Sequence, residues 1–140
     1  MASIVYNSFW DDKDRGNIVM TVDTFYRMLV TAGYTENQDT HTKRSDVTGE
    51  IAATGNYPAG GIPVSPVVTK DLANNRQIIT FPAGAISATQ ITARKEIIYK
   101  RRGGSAAADE LVLCNDFGTD QVSGGGGAFL IGASTITIQN

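Results

Sequence analysis

Side chains branched at Cβ set the first limit on what this chain can fold into. Thr, Ile and Val supply 38 of its 140 residues. Two heavy substituents on Cβ restrict χ1 and crowd a helix, but they pack well on a pleated surface. The 15 glycines fall mostly between the apolar runs, at the positions that turns require. No window carries a sustained apolar stripe at i, i+3, i+4. The expectation is an all-β chain, a single-domain antiparallel β-sandwich of jelly-roll-like form over residues 1–140, with at most one or two short helical turns.

The strands read from the pattern are 18–22, 24–30, 50–54, 62–69, 76–81, 85–92, 96–100, 111–116, 128–131 and 135–139. Alternation is clearest in the last, where Ile136 and Ile138 share one face and Thr135, Thr137 and Gln139 the other. In 24–30, Phe25, Arg27 and Leu29 oppose Tyr26, Met28 and Val30. The second set carries no charge, which predicts a central strand. Residues 4–15 read two ways: a strand over 4–9, or a short helix capped by Ser8 with Asp11 three residues on and Gly16 as its stop. Residues 37–45 are polar and suit one or two turns capped by Thr35 or Asn37. Residues 106–111 suit a further turn, and the run Ser123 to Gly127 reads as a loop within the same domain.

Charge and composition exclude several classes of function. Twelve Lys and Arg against 14 Asp and Glu give a net charge of −2, without the basic excess of a nucleic-acid wrapper. Cys114 is alone, so no internal disulfide forms, and no Cys/His cluster suits zinc. No apolar run approaches the roughly 20 residues of a membrane span, and the N-terminus lacks the pattern of a secretory signal. The expectation is a chain with no cofactor, nucleic-acid partner, membrane association or enzymatic activity.

The candidate chemical residues support that expectation. Asp12, Asp14 and Gly16 are spaced like the start of a calcium loop, but the later bidentate Glu is missing and Lys13 and Arg15 offset the charge. A solvated turn or helix end fits better. His41 lies near Asp39 and Asp46 without a nucleophile elbow or a second His, so it reads as a turn residue that orders 33–49. Cys114 shares a strand face with Val112 and Asp116, opposite Leu111 and Leu113, and reads as a structural thiol. Lys100, Arg101 and Arg102 precede Gly103 and Gly104 as a basic strand end, suited to solvent or to an acidic protein patch. The glycine run lacks the Lys-Ser/Thr of a phosphate loop.

A set of turn and strand signatures then stands out. Gly33-Tyr34-Thr35, Asp39-Thr40-His41 and Ser45-Asp46-Val47-Thr48-Gly49-Glu50-Ile51 continue into Thr54-Gly55-Asn56-Tyr57-Pro58-Ala59-Gly60-Gly61. Ser8-Phe9-Trp10, Gly16-Asn17-Ile18 and Met28-Leu29-Val30 precede them. Thr92-Ala93-Arg94, Ile97-Ile98-Tyr99-Lys100 and Asp116-Phe117-Gly118 follow. Over roughly residues 6–139 the chain resembles a family of small structural proteins of tailed bacteriophages. It departs from the family at Asn56-Tyr57-Pro58, where Pro58 removes a backbone donor.

The resemblance implies a virion structural protein without catalytic residues, cofactor or metal. Within that family a capsid decoration, or cement, role on the outer head surface is expected. The partners would be the major capsid protein of the same phage and further copies of the chain, most simply a trimer, with synthesis in the host cytoplasm. The segment 1–10 and the loop 33–49 are the expected contacts. Their interface residues would be Ile4, Tyr6, Phe9, Trp10, Tyr34 and His41, with Arg101 and Arg102 at the basic strand end. Trp10 leads this set because Trp is an enriched interface anchor. Ile4 and Tyr6 would add a strand to a neighbour's sheet. The alternatives are a tail or head–tail junction protein, and a glycan-binding module using Trp10, Tyr34 and Tyr57.

Overall fold

The computed structural model describes residues 3–87 and 89–139. Along the chain run β1 (Ile4–Val5), α1 (Asn7–Asp14), β2 (Phe25–Val30), β3 (Ile62–Val64), β4 (Val67–Asp71), β5 (Arg76–Phe81) and β6 (Gly84–Ile86). Then follow β7 (Ile91–Lys100), β8 (Leu111–Ser123), β9 (Phe129–Ile131) and β10 (Ser134–Gln139). Single 3-10 turns occupy Arg44–Asp46, Leu72–Asn74 and Ala106–Ala108. The fold is all-β, and every strand pairing is antiparallel.

The main sheet has the order β1-β8-β7-β2-β3. A second sheet, β10-β5-β4, and the ribbon β6-β9 complete the β structure. One face of the main sheet meets the second sheet across a core of Phe25, Ile98 and Leu113 against Ile79, Phe81 and Ile136, with Phe9 of α1 alongside. Farther along that face Leu29, Ile91 and Ala93 pack on Ile86, Phe129 and Ile131 of the ribbon. The opposite face is also buried. There Met28, Val30, Ile97, Tyr99 and Cys114 pack with Tyr6, Tyr34 and Val47. As the uncharged face of β2 predicted, that strand is interior, between β7 and β3.

Four expected strands change form. Residues 85–92 divide between β6 and the start of β7, which also takes in 96–100. Residues 18–22 make a turn, because the Asp23 carboxylate accepts the Val19 N–H at 2.7 Å and the Val19 carbonyl accepts from Val22 and Asp23. Residues 50–54 make only two isolated bridges, Val30 with Glu50 and Thr54 with Tyr57. Residues 62–69 split into β3 and β4, one in each sheet, with Ser65 and Pro66 between them. Proline lacks the N–H that a continuous ladder needs. Both readings of residues 4–15 hold in part. Residues 4–5 are strand and 7–14 helix, with Tyr6 in extended backbone as the N-cap position. Ser8 therefore sits inside the helix, its hydroxyl buried, instead of capping it.

Two irregularities in β8 set its phase. Ile98 pairs with Leu113 but Tyr99 pairs with Leu111, so Val112 is an extra residue. This bulge turns Leu111 onto the face of Cys114 and Val112 onto the face of Leu113, which corrects the simple alternation expected there. Farther on, Lys95 pairs with Asp116 and Ala93 with Gln121, so residues 117–120 bulge out opposite Arg94. Asp116-Phe117-Gly118 is thus a bulge signature. The Asp116 carboxylate accepts the Gly118 N–H at 2.8 Å, and Phe117 packs on Phe129.

Glycine is indispensable where the chain enters β3 against the backbone of β2. Gly61 has φ +89°, and a Cβ there would lie 1.9 Å from the Arg27 carbonyl oxygen. Gly104 has open space around it and no such φ. Gly61→Ala is expected to lower unfolding free energy by at least about 3 kcal/mol, and Gly104→Ala to change it by less than about 0.5 kcal/mol. Urea unfolding midpoints check this, and equal midpoints would contradict the close packing at Gly61.

Candidate functional site

The N-terminal segment and the loop 33–49 form one structure. Asn7 N–H donates to the Gln38 carbonyl at 3.1 Å, and the Gln38 amide donates to the Val5 carbonyl at 2.8 Å. The Asn7 amide donates to Asp39 at 2.6 Å. Beneath these surface bonds a chain of polar rings runs from half-buried His41 into the core. The Asn37 N–H donates to His41 Nδ1 at 3.2 Å, so that nitrogen carries no proton and the Tyr34 hydroxyl donates to it at 2.8 Å. The Tyr34 oxygen then accepts from the Tyr6 hydroxyl, also at 2.8 Å. Tyr34 and His41 rings stack with centroids 5.6 Å apart.

Lys95 anchors the loop from the sheet. Its ammonium donates to the Tyr34 carbonyl at 2.8 Å, pairs with Glu36, and lies 5.8 Å from the Tyr34 ring centroid. Both members of the ion pair are buried. Burial pushes the hydroxyl of Tyr6 well above its ordinary value and that of Tyr34 up to about 12. Burial, reinforced by Glu36, likewise pushes the Cys114 thiol up to about 12. Cys114 is therefore a protonated core thiol at neutral pH and a poor nucleophile.

The loop's own turns use carboxylate and amide oxygens. The Asn37 side chain accepts from the Asp39 and Thr40 N–H groups at 3.0 Å each, the capping role expected of it. Asp46 Oδ2 accepts the N–H groups of Thr42 at 2.8 Å and Lys43 at 3.0 Å. Those backbone donors hold the Asp46 carboxyl below its usual range. The loop then meets the basic corner. Arg44 pairs with Asp109 at 2.8 Å, and the Leu111 N–H donates to the Thr42 carbonyl.

At that corner the cations are matched within the chain. Arg102 makes a two-pronged contact with Glu110, at 2.8 and 2.6 Å. Burial pushes the Glu110 carboxyl up, but Arg102 and the neighbouring groups bring it below its usual value. Lys100 pairs with Asp23 at 2.9 Å. The Arg101 guanidinium lies over the Tyr26 ring, 4.4 Å from its centroid. The corner is a largely ion-paired network in which Arg101 rests on a ring instead of a carboxylate, so only part of the basic strand end is matched by acidic groups.

The expected contact residues separate by burial. Tyr6, Phe9 and Tyr34 lie in the core at 0–1% exposure and build the surface from beneath. Ile4 and His41 are half-buried, and Arg101 and Arg102 are exposed. Trp10 is 38% exposed and packs edge-on against Phe9 at 5.1 Å. Ile4 and Val5 extend this chain's own sheet by pairing with Cys114 and Leu113. Tyr57 is also buried, bonded to Glu50 and to the Leu29 N–H, so Trp10 is the exposed ring of the three named for sugar stacking. Met1 lies outside the described residues.

The spacing of Asp12, Asp14 and Gly16 falls on α1 and its C-terminal turn, where helical geometry points the two carboxylates apart. Asp11 pairs with Arg15, and Asp12 holds the Asn17 side chain and backbone N–H. Among the described residues no group of three His, Cys, Asp or Glu side chains is placed to hold a metal ion. Sequence reasoning missed Glu36, Lys95 and Asp109, whose charges are buried in pairs with residues distant along the chain. Comparison with protein-family models, curated proteins and solved structures gives no match for this chain.

The Asp46 cap has a pH signature. Its carboxyl is depressed in the folded state, so its stabilisation is present above the ordinary Asp value of about 3.9 and is lost as pH falls through the depressed value. Asp46→Ala is expected to cost about 1 kcal/mol at pH 7. The gap to the unsubstituted protein should narrow below about pH 4. Chemical unfolding at both pH values checks this, and a gap that stays constant would contradict the capping role.

Proposed function

We propose that this chain is a bacteriophage virion structural protein, a capsid decoration protein that binds the outer head surface and stabilises the shell. The observation that carries the reading is the union of two segments. The N-terminal segment and loop 33–49, each expected to face a partner, are tied into one surface by the Asn7, Gln38 and Asp39 bonds. That surface stands on a buried tyrosine network, and the helix α1 that supplies Asn7 also exposes Trp10. A rigid support of this kind lowers the ordering cost of a contact. Modest contacts repeated over a shell add through multivalency.

In this role the major capsid protein of the same phage is the partner, and the protein acts as a small homo-oligomer bridging capsomers against internal DNA pressure. It carries out no reaction. Placement at the tail or head–tail junction is the alternative, distinguished by copy number. The glycan-binding alternative has less support, because Tyr34 and Tyr57 are enclosed in the core.

Heads from a phage lacking this gene should release DNA at a lower temperature than complete heads, and purified protein added back should restore the loss. Trp10→Ala protein should need roughly a tenfold or higher concentration for the same restoration, the size of an interface anchor's contribution. Unchanged heat stability in the deletion heads would overturn the stabilising role.

A further inference from the structure

The sheet edges of this protein are unequally protected. β1 is two residues long, and β3 has three residues with Pro63 in the middle. β6 and β9 are three residues each, and β4 carries Lys70 and Asp71. Short length, proline and charge are the usual means of blocking edge-to-edge pairing. β10 has none of them. It runs six residues, Ser134–Gln139, without charge, proline or register shift against β5. It ends its sheet, and among the described residues no backbone hydrogen bond reaches its outer side.

We propose that the outer edge of β10 is a self-association site, at which two copies of this chain pair antiparallel about a two-fold axis through Thr137. The strand's own sequence selects a second copy as the occupant. In an isologous contact residue i faces j and j faces i, and along Ile136-Thr137-Ile138 that arrangement sets aliphatic against aliphatic and Thr against Thr. With the axis at Thr137, Ile136 lies opposite Ile138 of the second copy on the inner face, where Ile136 is buried and Ile138 half-buried. Thr137 lies opposite its own counterpart on the outer face, and Thr135 opposite Gln139. No like charges meet, and the aliphatic and Thr–Thr pairs are favourable cross-strand neighbours. The two three-stranded sheets become one sheet of order β4-β5-β10-β10-β5-β4. This pairing gives two-fold symmetry where the family resemblance implied a trimer, and it does not depend on the proposed role in the virion.

A ladder of five pairs is a small interface, so the test belongs at about 100 µM, above a micromolar Kd. Sedimentation equilibrium of the full chain should show a dimer. Thr137→Lys and Thr137→Glu place like charges face to face across the axis, and each alone should sediment as a monomer. Mixed in equal amounts, the two variants should form a heterodimer, because Lys then faces Glu. Thr137 is exposed, so both variants should keep the native fold, and circular dichroism and thermal melting verify this. A monomeric unsubstituted protein at this concentration would overturn the proposal. So would a dimer that persists in either single variant, or a folded mixture that stays monomeric.

Discussion

The structure depends on burying both faces of one sheet while keeping the charges inside it paired. Lys95 and Glu96 are neighbours on β7 and point to opposite faces. On one side Lys95 meets Glu36 and holds the loop 33–49 down on the sheet. On the other, Glu96 meets Arg27 at 2.8 Å inside the sandwich, and Arg27 donates to the Pro82 carbonyl at 2.7 Å. Burial pushes the Glu96 carboxyl up, opposed by Arg27 and the Asn115 amide. Removing one member of such a pair strands a buried charge, at a cost of roughly 3–5 kcal/mol. The two covers of the sheet are thus pinned through adjacent residues of one strand.

This arrangement explains which parts of the fold were legible in the sequence. β2, β5 and β10 were visible because local alternation and β-branched content determine them. The order of the faces along β8 was not, because a single extra residue at Val112 reverses the phase without any compositional mark. Residues 18–22 look like a strand by content, yet Asp23 supplies a carboxylate that closes a turn. The joining of the N-terminal segment to loop 33–49 was not legible, because it rests on bonds between residues distant along the chain. Tyr6, Phe9 and Tyr34 were expected as contacts because aromatics favour interfaces, but the same rings favour a core. Only the fold reveals the partners, 28 residues apart for Tyr6 and Tyr34 and 59 apart for Glu36 and Lys95.

The same physics links the fold to the proposed role. Internal pairing takes up most charges of the basic corner and the hydroxyls of the tyrosine network. What remains outward is shaped surface: Trp10, the polar loop above the tyrosines and the uncharged edge of β10. Surfaces of that kind bind by area and repetition. A shell protein repeated over many equivalent sites suits such a surface better than a protein acting singly.

Copy number tests the central functional claim most directly. Quantitative mass spectrometry of purified virions, with the major capsid protein as internal standard, measures it. A decoration protein is present in hundreds of copies, in a simple ratio to the shell protein. A dozen copies or fewer would place the chain at the tail or connector, and its absence from virions would contradict the structural role altogether.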